Sequence, residues 1–513
     1  MSNETIFRLA KPKKKGLLPI VFSRFLVIAL LLVAQVALLV GIYGWLYEYI
    51  SFFSVIMAVF TLLMIIYLFN CEMDATAKLT WMFMIALFPL PAACFLSFTQ
   101  TNAGHTKTKE RVEQLIDSTR GAIAQSEEVI RQVKEDGSGV AALAKYLGRG
   151  GCFPLFQHTQ VTYFPIGEEK FAAMLGELQK AEKYIFMEYF IIEEGYMWGR
   201  ILELLIEKAK AGVDVRVMYD GMCEVALLPA DYPKLLSKHG IKAKAFSPIM
   251  PVVSSHYNYR DHRKILVIDG KVAFNGGVNL ADEYINRIER FGHWKDTALM
   301  IKGEAAKSFA LMFLQMWNLD EKSPEFLPYL EDGYVMPYGD CPLDEDKAGE
   351  AVYMDILNRA NDYVHIMTPY LILDGELNAA LKYAAQRGVD VKLILPGIPD
   401  KKAAYALAKS HYQPLVNAGV KIYEYTPGFV HAKVFVSDDI KAVVGTINLD
   451  YRSLYHHFEC GTFLYRTECI AEIEKDFQDT LAKCRRVTKE SIKNEKFGYK
   501  LMGGFMKIIA PLM

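Results

Sequence analysis

The chain has 513 residues and a formal net charge of −1 at pH 7. Its length accommodates about three domains, and its near-neutral charge argues against a general nucleic-acid binder, which is normally basic. Cys71, Cys94, Cys152, Cys223, Cys341, Cys460, Cys469 and Cys484 form no C-x-x-C pair, so the sequence suggests neither a zinc ribbon nor a disulfide framework.

The N-terminal hundred residues differ from the remainder. Between Arg24 and Lys107 the only charged side chains are Glu48, Glu72, Asp74 and Lys78. This leaves three stretches, Phe25 to Tyr47, Tyr49 to Cys71 and Leu79 to Thr106, each exceeding the roughly 20 apolar residues needed to cross a bilayer. Residues 1–104 are therefore expected to form a membrane region with two to three transmembrane helices, and the protein to be multi-pass. The basic residues from Arg8 to Arg24 place the N-terminus in the cytoplasm, whereas Lys107, Lys109, Arg111 and Arg120 argue for an inside location after the third stretch. The two indications conflict for three full spans. A re-entrant third stretch, interrupted by Pro89 and Pro91, would reconcile them.

Residues 105–155 read as a helical connector, with Val112, Leu115, Ile116 and Ile123 on an apolar stripe that Val129, Ile130 and Val133 continue. The body that follows is an internal duplication, with halves at 156–340 and 341–490. Ala211-Gly-Val-Asp-Val-Arg-Val-Met-Tyr-Asp-Gly221 matches Arg387-Gly-Val-Asp-Val-Lys-Leu-Ile-Leu-Pro-Gly397, and His239-Gly-Ile-Lys242 matches Ala418-Gly-Val-Lys421. Apolar strands, Tyr184 to Ile192 and Tyr363 to Leu373, precede a helical pattern in each half, which predicts an α/β sandwich twice over. The tail, 491–513, is apolar with interspersed lysines, a pattern suited equally to a lipid interface or to packing on the body.

Each half carries one further motif, H-x-K-x4-D-x6-G-[GT]-x-N. The first copy supplies His262, Lys264, Asp269 and Asn279; the second supplies His431, Lys433, Asp438, Thr446 and Asn448. A single His-x-Lys is common by chance, but six positions repeated at matching spacing are not. Alternation along a strand puts His and Lys on one face. Asp269 and Asp438 belong to the motif's catalytic candidates, but Asp269-Gly270 reads as a hairpin turn between apolar runs, as does Asp438-Asp439, so these aspartates are better suited to holding the turn and a nearby cation than to acting as bases. The Gly loops bring backbone and the Asn amides close to whatever the His-Lys pair holds. Two matched motifs in two similar halves suggest one pseudo-twofold site over a single phosphate.

The doubled motif resembles the signature of the phospholipase D superfamily, departing only in Thr446, where that family usually has Ser. Asn258 to Lys264, Gly276 to Tyr284, Trp294 to Thr297, Thr368-Pro-Tyr370 and Asn448 to Ser453 resemble the bacterial cardiolipin synthases more narrowly, over a region running from Phe52 to the C-terminus. The resemblance implies an N-terminal transmembrane region followed by two phospholipase D-like α/β sandwich domains, a location in the bacterial cell membrane, and an acidic residue after each motif that orients its histidine, matched here by Asp296 and Glu459. Glu188, an acid within an apolar strand, is a weaker candidate: inside the strand it needs a partner, but a strand-edge Glu facing water is an equally good reading. Lys295 and His457 depart from the family's usual Arg and Asn.

A phosphodiester resists attack until its charge is offset, and Lys264, Lys433, Asn279, Asn448 and Thr446 would bind and stabilise it without metal or other cofactor. One imidazole would attack phosphorus while the other protonates the departing alkoxide. His262 is the preferred nucleophile and His431 the acid/base, although pseudo-symmetry makes the roles hard to separate. By resemblance, the reaction is phosphatidyl transfer between two phosphatidylglycerol molecules, giving cardiolipin and glycerol. A membrane-bound phospholipase D using water, and a scaffold with a retired site, are the alternatives; a nuclease would gain little from apolar spans. His456-His457 is not expected to bind metal, because adjacent strand residues face opposite ways.

Overall fold

The computed structural model describes residues 7–10, 33, 37, 41, 50–100, 106–119, 121–150, 153–247, 259–317, 334–343 and 346–512. The expected first span, Phe25 to Tyr47, lies almost wholly outside them. Among the described residues one helix, Ile50–Asn70, contains a segment long and apolar enough to cross a membrane; that segment is Phe52–Asn70, with a mean hydropathy of 2.6.

The third apolar stretch is not a continuous span. It divides into helices Ala75–Leu87 and Pro89–Gln100, which meet at Phe88 with φ −137° and ψ 68°. Proline cannot continue the helical hydrogen-bond ladder and disfavours helical backbone in the residue before it. Helices of 13 and 12 residues reach only about 20 Å each at ~1.5 Å per residue, short of the ~30 Å hydrocarbon core. They pack against the first helix through Leu68, Trp81, Ile85, Ala92 and Leu96.

The connector forms three helices, Thr106–Thr119, Glu127–Glu135 and Val140–Gly150. Ile123 falls in the turn after the first, while Val129 and Val133 enter the core of the second half.

Two sheets make up the body. The first consists of β1 (Thr159–Phe164), β2 (Tyr184–Tyr189), β3 (Asp214–Asp220), β4 (Lys242–Phe246), β6 (Lys264–Ile268), β7 (Val272–Gly276) and β9 (Ala298–Gly303), in the order β1-β9-β7-β6-β2-β3-β4. Two short strands, β5 (Arg260–Asp261) and β8 (His293–Lys295), lie outside it. The second sheet uses β10 (Tyr334–Asp340), β11 (Tyr363–Met367), β12 (Asp390–Pro396), β13 (Lys421–Tyr425), β15 (Val434–Ser437), β16 (Lys441–Gly445) and β17 (His457–Tyr465), in the order β10-β17-β16-β15-β11-β12-β13, with β18 (Cys484–Arg486) at its edge. β14 (Gly428–Val430) pairs with β8. The two orders are the same order written twice, so the duplication in sequence is a duplication of topology.

Both faces of each sheet are covered, which explains the continuous apolar runs in the central strands. Along β6, Ile265 and Val267 enter a core shared with the second sheet, while Leu266 and Ile268 enter the outer core of the first half. Along β15, Val434 and Val436 face that same shared core and Phe435 faces outward. Helices Ala306–Met316 and Cys469–Leu481 also contribute to the shared layer. Apolar packing between the two sheets is therefore what holds the two motifs in register.

Candidate active site

Neither histidine sits in a strand of its own sheet. His262 lies between β5 and β6, and His431 between β14 and β15. Both approaches are secured by the opposite half. β5 pairs in parallel with the start of β17, and the His262 N–H donates to the Phe458 carbonyl at 2.9 Å. β14 pairs in parallel with β8, and the His431 N–H donates to the Lys295 carbonyl at 2.7 Å.

This exchange crosses the acids over. The residue after Phe458 is Glu459, whose carboxylate oxygens lie 2.9 and 3.0 Å from His262 Nδ1. The residue after Lys295 is Asp296, whose carboxylate lies 2.6 Å from His431 Nδ1. The expectation that each acid serves the histidine of its own motif is thereby corrected: each serves the histidine of the other half.

Glu459, Asp296 and Lys264 are fully buried, and His262, His431 and Lys433 nearly so. Burial pushes His262 down to about 3 and His431 to about 4, against the favourable charges of Glu459 and Asp296. Burial alone would raise the two carboxyls, but the imidazole beside each, by charge and hydrogen bond, holds them below the usual range. A neutral ring donating Nδ1–H to an ionised carboxylate keeps a lone pair on Nε2, the tautomer a nucleophile or proton acceptor needs.

Lys264 and Lys433 each donate Nζ to the backbone carbonyl of their own motif's histidine, a contact that strand alternation alone did not foresee. Burial lowers Lys264 to about 8 and Lys433 to about 7, with Glu459 and Asp296 respectively opposing it. Loss of these charges weakens attraction for an anionic phosphodiester. Accordingly kcat/KM, which reports free-enzyme ionisations, is expected to fall as pH rises through 7 to 8; a pH series on a soluble short-chain phosphodiester checks this.

The loops after β7 and β16 occupy equivalent places in the two halves but are bonded differently. Asn279 accepts from the Ile191 N–H at 3.0 Å and donates to the Tyr284 hydroxyl at 2.8 Å. Asn448 is buried, and its Oδ1 has no hydrogen-bond partner among the described residues. Thr446 does not face the pocket: its hydroxyl donates to Glu459 and accepts from the Cys460 N–H at 3.0 Å, which makes it a support for the carboxylate rather than a substrate ligand. Its counterpart is Gly277, where an added Cβ would lie 2.0 Å from Asp296 Oδ1. Gly277→Ala is therefore expected to displace Asp296, lowering kcat at least ten-fold and stability by about 1–3 kcal/mol; turnover and a thermal melt on one preparation read both.

Asp269 and Asp438 lie at the far ends of β6 and β15, five residues beyond the lysines and so roughly 16 Å away along a strand. Asp269 accepts from the backbone N–H groups of Glu182, Lys183 and Tyr184 at 2.7 to 2.9 Å. Asp438 accepts from those of Asn361, Asp362 and Tyr363 at 2.8 to 3.0 Å. Each holds its turn at positive φ and binds backbone amides rather than a cation. As sequence candidates for catalysis they are corrected to anchors. Asp269→Ala is expected to cost roughly 2–3 kcal/mol, about 1 for each lost bond, while leaving kcat per folded molecule intact; denaturant unfolding with active-site titration separates the two.

Glu188 touches neither His262 nor His431. It forms an ion pair with Arg263 at 2.6 Å, beneath the first motif. Lys295 pairs with Asp476 at 2.7 Å, away from the imidazoles. His457 does reach the site: its ring centroid lies 5.5 Å from that of His262 and its Nδ1 3.7 Å from Glu459.

Sequence reading missed a pair of supports. Lys170, fully buried, donates to the Val278 carbonyl at 3.0 Å, and Tyr353 donates to the Ile447 carbonyl at 2.8 Å. These carbonyls occupy the same position in the two G-[GT]-x-N loops, so unlike residues perform one task in the two halves. An aromatic wall was also missed: Tyr284, Trp294 and Phe429 lie 5.5, 5.3 and 6.0 Å from the His431 ring, and Phe190 lies 4.9 Å from His262. The motif spacing carries no signal for either group.

Two carboxylate-backed imidazoles on a duplicated α/β frame define the class, a phospholipase D-like protein. A family model described as "Cardiolipin synthase, PLD-like domain" matches residues 174–317 and 353–481. A protein of Streptococcus mutans serotype c is 56% identical over 457 residues, 88% of this chain and 99% of that one. The cardiolipin synthase of Alkalihalophilus pseudofirmus is 32% identical over 474 residues, covering 89% and 93%, and that of Halalkalibacterium halodurans 31% over 486 residues, covering 92% and 95%. Among solved structures, phosphatidylserine synthase of Haemophilus influenzae Rd KW20 shares the fold, with a TM-score of 0.53 at 13% identity over 69% of this chain and 93% of that one. The chain belongs to the cardiolipin synthase family of phospholipase D-like proteins.

Proposed function

We propose that this protein is a membrane-bound phosphatidyltransferase that forms cardiolipin and glycerol from two molecules of phosphatidylglycerol. The observation that carries the chemistry is the crossed arrangement of His262 with Glu459 and His431 with Asp296. In this reading His262 Nε2 attacks phosphorus and the bond to the glycerol oxygen breaks, leaving a phosphatidyl-histidine. His431 delivers its proton to the departing glycerol. It then takes a proton from the terminal hydroxyl of the second phosphatidylglycerol, whose oxygen attacks phosphorus and releases the His262 nitrogen. An anionic phosphodiester between the rings favours protonation of His431, which supplies the acid that the empty, buried ring would lack. Lys264 and Lys433 offset the charge on the phosphoryl oxygens as it develops, and Asn448, with its amide oxygen unpaired among the described residues, is available to a substrate hydroxyl.

The lipid substrate is supported by the apolar helix Ile50–Asn70 and by relatives that bear the synthase name. Its location is the bacterial cell membrane, and multi-pass insertion would need the stretch from Phe25 to Tyr47 as a further span. The test is incubation of the detergent-solubilised protein with phosphatidylglycerol alone. Cardiolipin with equimolar glycerol is the expected result. Phosphatidic acid without cardiolipin would make the protein a hydrolase, and no product would reject phosphatidylglycerol as sole substrate.

A further inference from the structure

The helix Phe497–Ile509 has two apolar faces, and among the described residues only one of them is packed against the protein. Met502, Met506 and Ala510 pack on Ile372, Ala404, Leu407 and Tyr451. Contact there is close: a Cβ on Gly503 would come within 2.4 Å of the Ala406 carbonyl oxygen. The other face carries Phe497, Leu501, Phe505 and Ile508, exposed by 78, 65, 63 and 37%. At about 100° per residue these four fall within an arc of roughly 80°. A single stripe of large apolar side chains thus faces away from the body.

Charge on this helix is one-sided. From Lys496 onward the chain holds Lys496, Lys500 and Lys507 and no carboxylate side chain. All three lysines are exposed, and at ~100° per residue they share one flank, which lies between the packed face and the apolar stripe. A basic flank next to an exposed apolar stripe is complementary to anionic headgroups lying over acyl chains.

The C-terminal helix is also linked to the N-terminal helices. Thr80 donates its hydroxyl to the Ile508 carbonyl at 2.7 Å, which ties helix Ala75–Leu87 to the C-terminal one. That helix exposes Leu79, Phe83 and Leu87 at four-residue intervals and packs on the apolar helix Ile50–Asn70. Three helices that each expose large apolar side chains are therefore linked to one another by direct contacts.

We infer that the C-terminal helix Phe497–Ile509 is an interfacial anchor that seats the second half of the body on an anionic bilayer surface beside the N-terminal helices. Its packed face lies on Tyr451, three residues beyond Asn448, and on Ile372, whose N–H bonds to the Leu449 carbonyl at 2.8 Å. Docking the helix holds the loop that follows the second motif against the lipid surface, from which a phosphodiester headgroup reaches the site. This inference concerns the docking surface and stands whichever alcohol or water accepts the phosphoryl group.

The test uses the full chain in nanodiscs containing phosphatidylglycerol and phosphatidylcholine. An environment-sensitive fluorophore is attached at Leu501→Cys and, as a control, at Glu490→Cys, in a background whose exposed native cysteines are serine. The expected result is a blue-shifted 501 label, quenched by lipids spin-labelled near the headgroup and shielded from aqueous iodide, with the 490 label open to iodide. A 501 label as iodide-accessible as the 490 label would overturn the proposal. Shielding from both quenchers would also overturn it, by assigning the face to a second copy or another protein.

A second variant, Phe497→Ser/Leu501→Ser/Phe505→Ser, changes only exposed side chains. It is expected to turn over vesicle phospholipid at least ten-fold more slowly while keeping its rate on a monomeric short-chain substrate. Equal losses on both substrates would show a structural role and reject the anchor.

Discussion

Replacing His262 or His431 by alanine is expected to lower phosphatidyl transfer by about a thousand-fold or more in each case, because in the proposed mechanism one ring forms the bond to phosphorus and the other moves the proton. The two losses differ in kind. With a phosphatidyl ester of p-nitrophenol, whose departure needs no proton, His431→Ala is expected to release one equivalent of p-nitrophenol in a burst and then stall. His262→Ala is expected to show no burst. The burst amplitude in a stopped-flow trace, together with acid-labile phosphate on the protein, reads this directly. A burst from the His262 variant and none from the His431 variant would exchange the two roles, and near-full activity in either would end the two-histidine mechanism.

Glu459→Gln and Asp296→Asn are expected to lower kcat between about a hundred- and ten-thousand-fold, by analogy with the loss when the carboxylate of a serine-protease triad is neutralised. An amide can present its NH2 to Nδ1 and favour the wrong tautomer, which removes the Nε2 lone pair. Because Glu459 bonds His262 and Asp296 bonds His431, the defects should cross the chain. Glu459→Gln, a change in the second half, is expected to abolish the p-nitrophenol burst. Asp296→Asn, in the first half, is expected to preserve the burst and block turnover. The opposite pattern would mean that each acid acts on the histidine of its own motif.

The pairing of acids and histidines marks where sequence reading stopped. The types and positions of both acids were legible from the resemblance, and so were both histidines and both lysines. Which acid meets which ring depends on β5 joining β17 and β14 joining β8, contacts between segments 197 and 135 residues apart at the ion pairs themselves. Spacing within a motif carries no information about such exchange. The same limit explains Lys170 and Tyr353: they share a task through a helix-to-loop contact, but share neither residue type nor motif.

Local features were read more fully. The Asp-Gly turn and the prolines that divide the third apolar stretch are properties of a few consecutive residues, and the structure follows them. The aspartates of the motif show the boundary. Their place at a turn was visible, whereas their three backbone donors come from the chain before β2 and before β11, brought in only when the sheet forms. Thr446 likewise reads as a pocket hydroxyl until the fold turns it toward Glu459.

By itself, then, the sequence determined the duplication, the paired His-x-Lys chemistry and the apolar character of the N-terminal region, because each is written in the order and period of neighbouring residues. Tertiary structure alone decided the crossed carboxylates, the shared apolar layer that holds the motifs together, and the two-faced setting of the C-terminal helix. Those depend on segments far apart in the chain excluding water from a common surface, and no local pattern encodes which distant segment will be the partner.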